Sequence, residues 1–145
     1  MSCLQEERVV LVATGSFCPV HKMHVRMFDI ARAHLVSNGL YTNNVLQTTK
    51  QNVVGGFLSP SHDVHVQAKL GERYISGLDR VKMCELAVAD SEWLAVSSWE
   101  CSQPHFVSFD QVTQNIQEYL NQQMPQYRWR CFFLCGADLV YREKD

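Results

Sequence analysis

The sequence predicts an α/β fold, a parallel sheet with helices packed on both of its faces. Three observations carry that expectation. Short apolar runs alternate with stretches of helical periodicity along the 145 residues, which is the pattern of successive βαβ units. The first apolar run, Val9-Val10-Leu11-Val12-Ala13, enters a glycine-led turn, and a helical pattern starts directly after it. Apolar residues make up 46% of the chain, enough for a buried core. No stretch approaches the ~18 consecutive apolar residues of a membrane span.

A first strand is predicted over 8–13, and the turn begun by Gly15 leads to a helix predicted over 22–37, whose segment Val25–Ala33 has helical periodicity. Residues 43–52 are polar and lack periodicity, so they are predicted as a loop. A second strand is predicted over 52–58, followed by a loop over 59–76 that begins with the turn residues Ser59-Pro60-Ser61-His62-Asp63, and then a helix over 77–90. A third strand over 94–99, a helix over 108–123 and a fourth strand over 129–135 complete the alternation. Crossovers of this kind pair strands in parallel, and the first strand is expected at the centre of the sheet.

Charge and cysteine usage narrow the function. Thirteen basic and fifteen acidic residues leave a net charge of −2, which is no electrostatic footprint for nucleic acid. The acidic start Met1–Arg8 has no apolar signal core, so a cytoplasmic or nuclear protein is expected, not a secreted or membrane one. The six cysteines are irregularly spaced with no C-x-x-C pair, and they read as reduced thiols. Cys131 and Cys135, four apart in a strand-like run, read as small apolar residues of a buried strand. His21 and His24 have no third ligand nearby in sequence, and no protein-held metal is expected.

The chemistry is concentrated in Gly15-Ser16-Phe17-Cys18-Pro19-Val20-His21-Lys22-Met23-His24. A strand that enters a glycine turn and then a helix builds a phosphate site. Glycine lets the backbone approach a ligand, and the free N–H groups of the first helical turn, with the helix dipole, attract an anion. Histidines three apart share one face of that turn, where both can donate to phosphate oxygens. Taken alone, a histidine at a helix start can equally cap or pack there.

This segment resembles the (His/Thr)-x-x-His signature of the nucleotidylyltransferase superfamily. It is most similar to the nicotinamide mononucleotide adenylyltransferases, which open Gly-Ser-Phe-Asn-Pro and continue to Met-His. The similarity extends, in the family's order, through Val54-Gly55-Gly56-Phe57-Leu58-Ser59-Pro60 with Asp63, Asp79-Arg80-Val81-Lys82-Met83-Cys84-Glu85-Leu86-Ala87, Trp93, Trp99-Glu100 with Gln103, and Leu134-Cys135-Gly136-Ala137-Asp138. The resemblance implies a Rossmann-like nucleotidylyltransferase fold forming one domain over 1–145. It implies transfer of AMP from ATP to nicotinamide or nicotinate mononucleotide, with Mg2+ arriving on ATP, and a possible homo-oligomer. It makes His24 the residue at the ATP phosphates and His21 its support. Gly15, Phe17, Gly136 and Asp138 are implied on the ATP side, and Ser16, Lys69 and Phe106 on the mononucleotide side. Phe17 is expected to offer backbone N–H with its ring in the core. Asp138 is implied to bond the ribose hydroxyls, though it can also cap a following helix, and Phe106 can equally be a core residue of an amphipathic helix.

The chain departs from the family pattern at several places. Cys18 stands where the family has Asn. Val66-Gln67-Ala68 occupies the place of the family's lysine after the Ser-Pro-x-x-Asp loop, with Lys69 the nearest cation. Phe109 stands for a threonine, and residues 43–52 resemble an insertion. The family continues beyond Cys-Gly-Ala-Asp to a Ser/Thr-Arg motif, so the expectation is a domain incomplete at its C-terminal end. Two further readings follow: an inactive truncated form that acts by binding nucleotide or protein, and adenylyl or cytidylyl transfer to another substrate.

Overall fold

A computed structural model describes residues 4–38, 40–42, 45–47 and 51–136. Its main sheet has the strand order β5-β4-β1-β6, formed by β1 (Glu7–Gly15), β4 (Val53–Pro60), β5 (Leu94–Val96) and β6 (Arg128–Phe133). All three pairings are parallel. The helices are α1 (Lys22–Asn38), α2 (Asp63–Leu70), α3 (Gly77–Ala87), the short α4 (Trp99–Ser102) and α5 (Phe109–Gln123). A small antiparallel hairpin, β2 (Leu40–Thr42) with β3 (Val45–Gln47), stands apart from the main sheet.

The central strand sets the layers. Val9 through Ala13 are each no more than 2% exposed, as expected of a strand covered on both faces. Its side chains alternate. Val9, Leu11 and Ala13 join Phe28 and Leu35 of α1 and Cys84 of α3 in one core. Val10 and Val12 join Val112, Ile116 and Leu120 of α5 in the other. The three α5 residues recur every fourth position, and Ser108 with Gln111 closes a capping box at that helix's start.

The sequence-based elements differ from these in four places. The loop expected over 59–76 contains α2 and a 3-10 turn at Gly71–Arg73. Only Val66 of α2 is buried, so the helix has almost no apolar period, and its cap is unusual: the His62 side chain accepts from the Val64 N–H at 3.2 Å. The loop expected over 43–52 overlaps the hairpin, whose three-residue strands are too short to show alternation. The third strand stops at Val96 and Trp99–Ser102 is helical, where a strand had been expected through 99. The fourth stops at Phe133, which leaves Cys135 beyond the strand that Cys131 occupies.

Candidate functional site

Chain order reverses between β1 and β6, and an open parallel sheet binds ligands outside the carboxyl ends of its strands at such a point. A crevice of about 300 Å³ lies there. Gly15, Ser16 and Phe17 line it from the end of β1, His24 and Met27 from α1, and Leu134, Cys135 and Gly136 from the end of β6. Ser61, His65 and Lys69 line it from the loop after β4 and from α2.

His24 is the best-defined donor. The His21 N–H donates to its Nδ1 at 3.0 Å, and the His24 N–H donates to the His21 carbonyl at 3.0 Å. This is the geometry of a capping box, in which the third helical residue reaches back to the residue before the helix. With Nδ1 accepting, a neutral ring carries its proton on Nε2, which becomes the free donor. Burial first, and the nearby His21 second, hold the His24 pKa below the usual 6.5. The ring is therefore neutral at pH 7 and keeps this tautomer. His21 stacks on it with ring centroids 3.7 Å apart, and the Phe17 ring meets it edge-on at 5.0 Å.

The turn before the helix is tightly determined. Phe17 is only 4% exposed and has a positive φ of 44°, a conformation uncommon outside glycine. A Cβ on Gly15 would stand 3.2 Å from Cζ of the Phe17 ring. The glycine at 15 thus has a reason inside the protein: it makes room for the folded-back ring.

Six of the sequence-predicted site residues converge on this crevice: Gly15, Ser16, Phe17, His24, Lys69 and Gly136. His21 does not line it. It faces an adjoining groove of about 750 Å³, almost wholly apolar, between α1 and β6, which shares His24, Met27 and Leu134 with the crevice. Phe106 does not line the crevice either; its ring centroid lies 5.9 Å from that of the crevice residue His65. At 55% exposed it is no core residue, so that alternative is corrected. Asp138 lies outside the described residues. The reading of 59–76 as a loop hid His65, which shares with Lys69 the face of α2 turned to the crevice. Among the described residues no three His, Cys, Asp or Glu side chains gather as metal ligands, and no described helix is long and apolar enough to cross a membrane.

A family model described as cytidylyltransferase-like matches residues 12–144. The chain is 34% identical over 134 residues to a nicotinamide/nicotinic acid mononucleotide adenylyltransferase of Arabidopsis thaliana, covering 91% of this chain and 50% of that protein. A protein of the same name from Schizosaccharomyces pombe is 35% identical over 141 residues, covering 91% and 34%. A nicotinamide-nucleotide adenylyltransferase of Drosophila melanogaster is 36% identical over 114 residues, covering 79% and 26%. The chain thus spans half the length of the first of these relatives and less of the other two. A four-stranded parallel sheet with a crevice at its switch point, matched by a family model that begins inside the central strand, identifies the chain as a member of the cytidylyltransferase-like family.

Proposed function

We propose that the chain carries the phosphate-handling part of a nicotinamide or nicotinate mononucleotide adenylyltransferase, forming one domain over 1–145 that transfers AMP from ATP with release of pyrophosphate. The observation that carries this reading is the convergence of the Gly15–Phe17 turn, the His24 Nε2 and Lys69 on one crevice at the switch point. The names of the relatives support the substrate pair.

The attacking group is the phosphate of the mononucleotide, which already carries most of its charge at neutral pH because its second pKa is about 6. No general base is needed. The task is to hold two anions together and to stabilise charge on the group in transfer. His24 Nε2 donates to the ATP phosphates, and His21 keeps the His24 ring oriented. Gly15 and the Phe17 N–H approach the ATP phosphates, while Gly136 and Asp138 take the adenosine. Ser16 and Lys69 receive the mononucleotide phosphate, with Phe106 on the side of its base. Among the described residues the crevice lining offers nitrogens and hydroxyls and no carboxylate, a donor set that suits phosphate. Mg2+ is a hard cation that prefers oxygen ligands, so it fits as an ion carried by ATP, where it supplies further charge neutralisation. The same reading makes the protein cytoplasmic or nuclear, free of nucleic acid and membrane, and able to self-associate.

Titration of the purified chain with ATP and Mg2+ tests the proposal. Binding at or below about 1 mM, the upper end of ordinary substrate constants, that is lost in His24→Ala supports it. No binding in that range, or binding indifferent to His24→Ala, overturns it. Binding without formation of dinucleotide from nicotinamide mononucleotide selects the non-catalytic reading.

A further inference from the structure

We propose that Arg80 is the positioning residue of the crevice, holding the Ser16–Phe17 peptide so that the Phe17 N–H faces the ligand phosphate. The inference rests on the function proposed above. Arg80 lies on α3 and is 0% exposed, and no other charged side chain is buried so completely among the described residues. Taking a guanidinium out of water is costly unless its donors are satisfied. Here Nε donates to the Ile75 carbonyl at 2.8 Å, Nη1 to the Ser16 carbonyl at 2.9 Å, and Nη2 to the Ser61 carbonyl and the Asp63 carboxylate, both at 2.7 Å. One side chain therefore ties together the turn after β1, the loop after β4 and the approach to α3. Two of its acceptors, Ser16 and Ser61, belong to residues that line the crevice.

The direction of the Ser16 bond is what matters. In a planar trans peptide the carbonyl and the next N–H point opposite ways. Pinning the Ser16 oxygen on buried Arg80 therefore turns the Phe17 N–H away from the core. Among the described residues nothing accepts a hydrogen bond from that N–H. The positive φ of Phe17 is the sort of unfavourable conformation that persists at functional sites when its surroundings over-determine it. Arg80 from below and the buried ring from the side are those surroundings. A lysine at 80 keeps the charge but not the planar fork, and it cannot serve three loops.

Amide-resolved NMR of the whole chain, titrated with ATP and Mg2+, tests this. In the unmodified protein the Phe17 amide should shift on binding while Ile116, in the opposite core, stays still. Arg80→Lys should remain folded, lose the Phe17 response and bind ATP about tenfold more weakly, the size expected of a lost charge-assisted hydrogen bond. Arg80→Gln, which buries no charge, takes its place where the lysine variant does not fold. ATP binding that leaves the Phe17 amide unmoved in the unmodified chain overturns this inference alone. So does a folded variant at position 80 with full affinity and the Phe17 response intact. No binding of ATP by the unmodified chain overturns the functional reading and this inference together.

Discussion

The two flanks of the central strand are built in opposite ways. Toward β4 the loops are held by buried polar groups. Beside the Arg80 lattice, Ser59 Oγ donates to Glu100 Oε2 at 2.8 Å, and the His62 ring lies 2.8 Å from the Gln103 carbonyl. Ser59, His62, Arg80 and Glu100 are all buried. Toward β6, the outer strand of the sheet, α1 and the strand border the apolar groove, and Met23, Ile30 and Phe133 are 59%, 56% and 36% exposed. Hydrogen bonds fix direction, whereas apolar contact is non-directional. Phosphate recognition needs direction, and the polar flank is where the Ser16–Phe17 peptide is fixed.

The strongest break in that comparison is at His24, which touches both the crevice and the groove. If its Nε2 donor acts on developing charge, His24→Ala should lower turnover about 10²–10³-fold with the thermal midpoint little changed. His21→Ala should cost far less, because alanine keeps the backbone N–H that orients His24. Steady-state kinetics of the two variants decides the matter, and equal losses would assign the effect to the stacked pair. The acid limb of the rate should fall below the ordinary imidazole range. Burial holds the His24 pKa down, and protonation there would sacrifice the bond from the His21 N–H.

The next test uses one helix. Phe28 and Ile30 are both on α1, but Phe28 is 0% and Ile30 56% exposed. Phe28→Ala should destabilise the fold by about 3–5 kcal/mol, the usual cost of removing a buried aromatic. Ile30→Ser should stay within about 0.5 kcal/mol. Denaturant melts of the two variants measure this. A large loss at Ile30 would mean that the groove is covered in solution, and the open flank would not be open.

The same contrast governs how much was legible in the sequence. The parallel sheet and the Gly15–His24 frame could be read because they rest on local signals: a run of apolar residues, a glycine, a helical period. The roles of Arg80 and His65 could not be read. Arg80 sits 64 residues from Ser16 and 17 from Asp63, and a buried arginine looks like an exposed one in sequence. His65 lies on a helix with one buried side chain, too few for a period to emerge. Lys69 was found through a family pattern that it does not itself match, since Val66-Gln67-Ala68 occupies that place.

Glu100 offers a pH-dependent test of the polar flank. Burial pushes its carboxyl from the ordinary 4.5 up to about 7, against the opposing pull of the Ser59 hydrogen bond and Arg80. The folded protein then holds a proton that the unfolded chain has lost between those values. Its contribution is whole below pH 4.5 and is lost as pH rises through 7. Since each unit of displacement is worth about 1.4 kcal/mol, the chain should lose on the order of 1–3 kcal/mol between pH 5 and pH 8. Glu100→Gln should flatten that slope. Thermal melts across the range measure it, and an unchanged slope in the variant would place the titration elsewhere.

The smallest effect concerns the apolar flank alone. Contiguous exposed apolar surface binds hydrophobic dyes and promotes association, and Met23, Ile30 and Phe133 contribute such surface to one groove. Ile30→Ser with Met23→Ser should reduce dye fluorescence severalfold, while ATP affinity and the thermal midpoint move little. Phe133 is the discriminating position. Its ring stacks on that of Phe109 with centroids 4.8 Å apart, and Phe109 lines the phosphate crevice. Phe133→Ser should therefore lower dye binding and also weaken nucleotide binding slightly, by less than the ~1.5 kcal/mol upper value of an aromatic pair. Dye titration and ATP titration on the double variant, on Phe133→Ser and on Ile30→Ser alone separate the outcomes. If Ile30→Ser weakened ATP as much as Phe133→Ser, the groove and the crevice would be one site, and the division of the molecule into a directional and a non-directional flank would fail.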